Sequence, residues 1–302
     1  MPSVEENLFA WTNYNWSEQG DEWSQDWGGT DFLWWRTIYP RIRKFIPTGT
    51  ILEIAPGYGR CTQFLHRFCK ELIIVDLTEK CIDSCRERFK SESHIKYYVN
   101  DGKSLDMIPD DSIDFVFSWD SLVHAENDVL ESYIRQLSKK LKGNGFGFIH
   151  HSNLGSHVNK QNAELSALNQ GWRGATMSAE LFHEYCENNS MHCIAQEKVN
   201  WLCSALIDCM SLFSKAHVRQ NIVVENTCFS SGEADYSRYL SNIYSVTPIS
   251  QLPQQPICGS IAQPYASPQE PVGDKVATLP GLSQDSKITP HRKSIKLHVS
   301  IR

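Results

Sequence analysis

Two short stretches bring acids and imidazoles close enough to act together. Asp120 and His124 are four residues apart, which puts both on one side of a helical turn. His150 and His151 close an apolar run as neighbours, and neighbours on a strand point to opposite faces. An imidazole beside a carboxylate can orient a hydroxyl and take its proton as a new bond forms. His151, nearest the strand exit, is the expected base, with Asp120 or His124 orienting the acceptor and His150 on the substrate side. The alternative for each histidine is a structural role. Arg173, after Gly171-Trp172, would hold an anionic part of a substrate or form a surface ion pair. No compact multi-acid grouping of the kind a hard cation favours is visible, so no metal is expected.

These residues need elements to hold them. Apolar runs at 50–55, 72–76, 96–99, 112–118 and 145–151 read as parallel strands, with helical sequence at 60–69, 78–90 and 129–142 between them. Ser178-Ala179-Glu180-Leu181 offers a polar helix start, and 193–201 and 204–213 can supply two final strands, one of them antiparallel. Such alternation specifies an α/β, doubly wound Rossmann-like sheet, with ligands outside the carboxyl ends of its strands. In Glu53-Ile54-Ala55-Pro56-Gly57-Tyr58-Gly59-Arg60 a strand ends in an acid and enters a small-residue turn before helical sequence resumes. The turn and the first helical N–H groups can receive a polar ligand. Asp76 closes the next strand, where a carboxylate can accept both hydroxyls of a ribose.

On these motifs the chain resembles the class I S-adenosylmethionine-dependent methyltransferases. The family's alternating glycines are matched by Gly57 and Gly59, while Ala55 replaces the first and is best tolerated at an ordinary backbone angle. The resemblance implies S-adenosyl-L-methionine as cofactor. It further implies contacts from Glu53, Ala55, Gly57 and Gly59, the ribose on Asp76, adenine beside Asn100-Asp101-Gly102, and Ser118 at the end of the fourth strand near the methyl group. The segments Gly20–Trp23, Trp27–Gly29, Ile54–Arg60 and Ser118–His124 further resemble a subgroup associated with bacterial glycan modification. A sugar or other small-molecule hydroxyl is then the expected acceptor, with Trp27, Trp35 and Trp119 offering faces on which a sugar ring can stack. A noncatalytic S-adenosylmethionine-binding scaffold or interaction protein is the alternative.

The flanks differ from this middle. Residues 1–49 hold Trp11, Trp16, Trp23, Trp27, Trp34 and Trp35 among acids, which suggests a cap or lid over residues 50–245, or a helix that merely packs on the sheet. From 246 to 302 prolines break any regular element, and six Lys or Arg against one Asp after residue 274 make a linker with a basic tail. A net charge of −6 disfavours a nucleic-acid surface. No apolar run reaches membrane-spanning length, and Met1–Glu6 lacks the features of a secretory signal, so a cytoplasmic protein is expected. The ten cysteines lack paired ligand spacing and read as buried free thiols. Oligomeric state has no signature in the sequence.

Overall fold

Eight strands form one sheet in the order β3-β2-β1-β4-β5-β7-β6-β8. They are β1 Thr48–Ile54, β2 Cys69–Asp76, β3 Ile95–Val99, β4 Ile113–Ser118, β5 Leu141–Ser152, β6 His192–Val199, β7 Asp208–Ser214 and β8 Ile222–Asn226. The computed structural model describes residues 2–157, 171–216 and 221–244, all within one unit, Met1–Ser267. The linker and tail expected at 246–302 lie outside the described residues.

The first five strands pair in parallel, and β7 runs antiparallel to both β5 and β6. This is the doubly wound Rossmann-like sheet read from the sequence. β8, parallel to β6, is an edge strand that the sequence did not announce. Leu72-Ile73-Ile74-Val75 is buried on both faces, which explains its unbroken apolar character.

Period-two alternation divides the core. Ile51, Leu72, Ile74, Phe115, Phe117 and Phe148 face one side, where Trp34, Ile38 and Ile42 of the helical stretch 30–42 cover them. Leu52, Ile54, Ile73, Val75, Val116 and Ile149 face the other. Three helices pack on the strands or cross their ends. The first, α1, Val4–Asn13, opens with a capping box in which Ser3 and Glu6 satisfy each other's backbone N–H. The second, α2, Glu79–Arg88, is capped by the Thr78 hydroxyl, and α3, Asn127–Lys140, buries Val129, Leu130, Tyr133, Ile134 and Leu137 along one stripe. A fourth, α4, Ala179–Asn188, starts where expected, with Ser178 accepting from the Leu181 N–H.

Among the described residues no helix is long and apolar enough to cross a membrane. Among the described residues eight cysteines are free thiols, six of them buried, as expected for most of them, whereas Cys228 is disulfide-bonded.

Candidate active site

The turn after β1 is the floor of the site. Gly57 and Gly59 adopt φ of 58° and 87°, and Ala55 sits at 57°, so Ala55 does not have the ordinary angle at which it would be best tolerated. A left-handed alanine is strained by roughly 1–2 kcal/mol, a cost this turn carries where glycine would not. Gly59 is required for another reason: a Cβ there would meet the Phe89 ring at 2.5 Å and Cys85 Sγ at 3.3 Å, so the turn could not lie against α2. Asp76, at the end of β2, accepts from the Gly57 N–H at 3.1 Å through one oxygen and from the Thr78 N–H at 2.9 Å through the other. Burial raises its pKa against those hydrogen bonds.

Glu53 is buried behind the turn and accepts from the Thr62 hydroxyl at 2.6 Å. Burial pushes its carboxyl up to about 8; the Thr62 hydrogen bond opposes this, Asp76 adds to it and Arg60 opposes it. Ser118 is buried and donates to the Ile54 carbonyl at 2.8 Å, so it ties β4 to β1. Asp101 is exposed and caps its own loop by accepting from the Lys103 and Ser104 N–H groups, while Gly102 holds φ 81° beneath the Val4 side chain.

The N-terminal segment lies across this floor. The Trp16 ring approaches within 3.1 Å of where a Cβ on Gly57 would sit, and it stacks on Tyr58 at 4.5 Å. Lys80 donates to the Thr12 and Tyr14 carbonyls, Arg88 to the Gln19 and Tyr58 carbonyls, and Asn7 to the His124 carbonyl at 3.0 Å. Lys80 and Arg88 of α2 and the turn at His124 therefore hold the segment down.

Beyond the end of β4 lies a buried charge cluster. Asp120, itself at φ 54°, accepts from Arg60 Nη2 at 3.0 Å. Its backbone N–H donates to His150 Nδ1 at 3.2 Å, which leaves His150 Nε2 to donate to Asp208 at 3.2 Å. Asp208 also receives Arg173 Nε at 3.1 Å and Nη2 at 2.9 Å. Against the upward pull of burial, Arg173 and His150 hold the Asp208 carboxyl far below its usual range. Trp119 and Trp201 flank the His150 ring at 4.9 and 4.7 Å, and Trp27 lies 4.9 Å from Trp201. Two donors here, Arg60 Nη1 and Trp119 Nε1, are buried without a hydrogen-bond partner among the described residues. An unsatisfied buried donor costs about 1–3 kcal/mol, so a ligand that accepts from it recovers that energy.

His124 adjoins this cluster. Its Nδ1 donates to the Trp172 carbonyl at 2.9 Å, which leaves the lone pair of the neutral ring on Nε2, and Trp11 covers it at 5.1 Å. Burial lowers its pKa to about 4; Arg173 contributes in the same direction, while Asp120 and Asp208 oppose it. His151 does not join the cluster, which corrects the expectation that it faces the acceptor. It shares the face of Ile149, lies flat on Phe182 at 4.5 Å, and engages the Ser152 carbonyl and the Ser211 hydroxyl, both at 2.8 Å. Strand parity explains the pair: His150 sides with Phe148 and His151 with Ile149.

Of the other aromatic residues expected at the substrate, Trp119 lines the cluster. Trp27 stands behind it, with its N–H spent on Thr37 at 3.0 Å. Trp35 is half exposed against Tyr39 and Phe64 instead. Arg173 is buried on Asp208, not in a surface ion pair. Sequence reasoning missed Arg60, Asp208 and Trp201. Asp208 carried a usable signal, an acid opening an otherwise apolar strand.

Near the cluster, Glu18, Asp21, Asp26, Asp31, Gln63 and Arg238 line an open cleft of about 680 Å³. Burial raises the Asp26 pKa; Arg238 opposes this, and Asp235 and Asp120 add to it.

Residues 51–145 match the family described as a methyltransferase domain. No curated protein matches the sequence. Among solved structures the chain is similar to a protein of Pyrococcus horikoshii, at 22% identity and TM-score 0.47 over 59% of this chain and 87% of that one. It is also similar to an S-adenosylmethionine-dependent methyltransferase of Clostridium acetobutylicum, at 13% identity and TM-score 0.46 over 64% and 92%. A TehB-like methyltransferase of Corynebacterium glutamicum aligns at 19% identity and TM-score 0.41 over 55% and 79%.

Proposed function

We propose that this S-adenosylmethionine-dependent methyltransferase, whose methyltransferase domain spans residues 51–145, acts on a hydroxyl of a sugar or another small polar molecule. The observation that carries the reading is the pair of unsatisfied buried donors, Arg60 Nη1 and Trp119 Nε1, beside the Asp120 carboxylate. Together they offer donors and an acceptor to the oxygens and hydrogens of a hydroxylated ligand. The carboxylates along the neighbouring cleft can accept from further hydroxyls, as a polyol acceptor requires.

The cofactor supplies an electrophilic methyl group on a sulfonium sulfur. Asp76 at the end of β2 suits its ribose, and the glycine turn suits close approach by its chain. In this reading Asp120 would orient the acceptor hydroxyl, and His124 Nε2 would take its proton when the cofactor's methyl group is transferred. His124 suits that role because it is neutral at pH 7 and its tautomer is set by the Trp172 carbonyl. A base with a pKa near 4 is weak, so it contributes by being placed and desolvated more than by its strength. Trp11 and Trp16 on the N-terminal segment would keep water from the reacting atoms, which assigns residues 1–49 the role of a lid.

The test is methyl transfer from S-adenosylmethionine to a panel of nucleotide sugars, glycans, small alcohols and amines. Turnover with a hydroxylated acceptor, abolished by His124→Gln with cofactor binding retained, is the expected result. Turnover confined to amines would overturn the hydroxyl reading.

A further inference from the structure

A second group of imidazoles and a carboxylate lies at the other end of the sheet. His66 stands in the short turn His66–Phe68 before β2, and Glu92 and His94 stand in the loop before β3. The strand ends that carry Asp76 and Val99 are at the opposite edge, eight and five residues further along β2 and β3. At about 3.3 Å per residue, β2 alone separates this group from the cofactor cleft by roughly 20 Å.

Three ligating atoms converge here. His66 Nδ1 is 3.6 Å from Glu92 Oε2, His94 Nδ1 is 3.8 Å from the same oxygen, and one atom from each of the three residues falls within 4.8 Å of the others. A tetrahedral ion with bonds of about 2.0–2.1 Å sets its ligands about 3.4 Å apart, so small side-chain shifts complete the geometry. Both Glu92 distances are too long for hydrogen bonds, so the carboxylate is directed at two ring nitrogens without bonding either.

The tautomer is a separate observation in favour of an ion. His94 Nε2 donates to the His66 carbonyl at 2.9 Å, which puts the lone pair of the neutral ring on Nδ1, the atom that faces Glu92. A ring nitrogen fixed by a hydrogen bond from its opposite nitrogen is the arrangement found in metal-ligating histidines. The three side chains are 12%, 35% and 28% exposed, open enough for an ion to enter and for water to take a fourth position.

We propose that His66, Glu92 and His94 form a binding site for a divalent transition ion of the zinc class, clamping the start of β2 to the start of β3. Two imidazoles with one carboxylate suit such an ion and are poor ligands for magnesium or calcium, which favour several oxygens. The site is structural: it lies across the sheet from the cluster at Asp120 and does not depend on the acceptor's identity.

Cobalt(II) alone, added to the metal-free full chain and followed by absorbance, tests the proposal. One equivalent should bind with visible d–d bands and no thiolate-to-cobalt band, and zinc should displace it. Glu92→Gln and His94→Ala should each weaken binding at least tenfold, with unchanged affinity for S-adenosylmethionine as the check that each variant is folded. A thiolate band, affinity unchanged in the His66→Ala/His94→Ala variant, or no binding at millimolar cobalt would each overturn it.

Discussion

The sheet carries two groups built from similar residues, and they differ in what satisfies the acids. At the carboxyl edge, Asp208 takes two N–H groups from Arg173 and one from His150, while Asp120 takes one from Arg60. At the amino edge, Glu92 faces two imidazoles beyond hydrogen-bonding distance and is a third exposed. The guanidinium fork of Arg173 makes the buried Asp208 a fixed structural charge, and Arg60 Nη1 and Trp119 Nε1 nearby are buried donors without a hydrogen-bond partner among the described residues. Without such a fork, the Glu92 carboxylate and the ring nitrogens of His66 and His94 converge on one space. By our proposals, the same side-chain types serve recognition of a polar molecule at one edge and ion binding at the other.

The contrast is most exposed to a stability measurement. Asp208→Ala removes the carboxylate that takes two N–H groups from buried Arg173 and should cost about 3–5 kcal/mol in urea unfolding, whereas Glu92→Gln in metal-free protein should stay within about 1 kcal/mol. Similar losses from both would erase the distinction. In catalysis, His124→Gln should lower turnover by roughly 10²–10⁴-fold at unchanged cofactor affinity. His151→Gln should leave turnover at saturating substrate intact and lower stability through the lost Ser211 contact and Phe182 stack.

Acid should separate the buried rings from the exposed ones. Burial lowers His151 to about 4, with His150 acting in the same direction and the Ser152 carbonyl opposing. Between about pH 6.5 and 4 the unfolded chain then binds the proton that the folded chain refuses, so stability falls on acidification through that window. The His151 contribution is at most roughly 3 kcal/mol, and pH-dependent melting should flatten by that amount in His151→Gln.

A smaller effect is expected at Glu53, whose carboxyl is pushed up to about 8. It is protonated at neutral pH, so a cationic cofactor nearby should favour its ionised form and release a proton. S-adenosylmethionine affinity should then rise with pH toward 8, by at most about 1.4 kcal/mol per unit. Calorimetry in two buffers of different ionisation enthalpy checks the release, and a buffer-independent binding enthalpy would exclude Glu53 as the linked group.

Much of the fold was legible because its signals are local. Leu72–Val75 reads as a buried strand from its own composition, Ser178 as a cap from its neighbours, and Gly57 and Gly59 as a turn from their missing side chains. Asp76 was found because it closes an apolar run. The left-handed angle of Ala55 escaped, since nothing in the adjacent residues dictates it and the turn imposes it. β8 escaped as well, because Ile222–Asn226 is short and gains its order by pairing with β6.

The site divides along the same line. The sequence by itself determined the alternation of strands and helices, the turn after β1, and the rule that His150 and His151 must part, because backbone sterics and side-chain periodicity act over a few residues. Only the tertiary structure decided which of the two histidines meets Asp208, that Arg60 reaches Asp120, and that His66 meets Glu92 and His94. Those outcomes depend on which elements cover each face of the sheet and on contacts between segments distant in sequence, which no local pattern encodes.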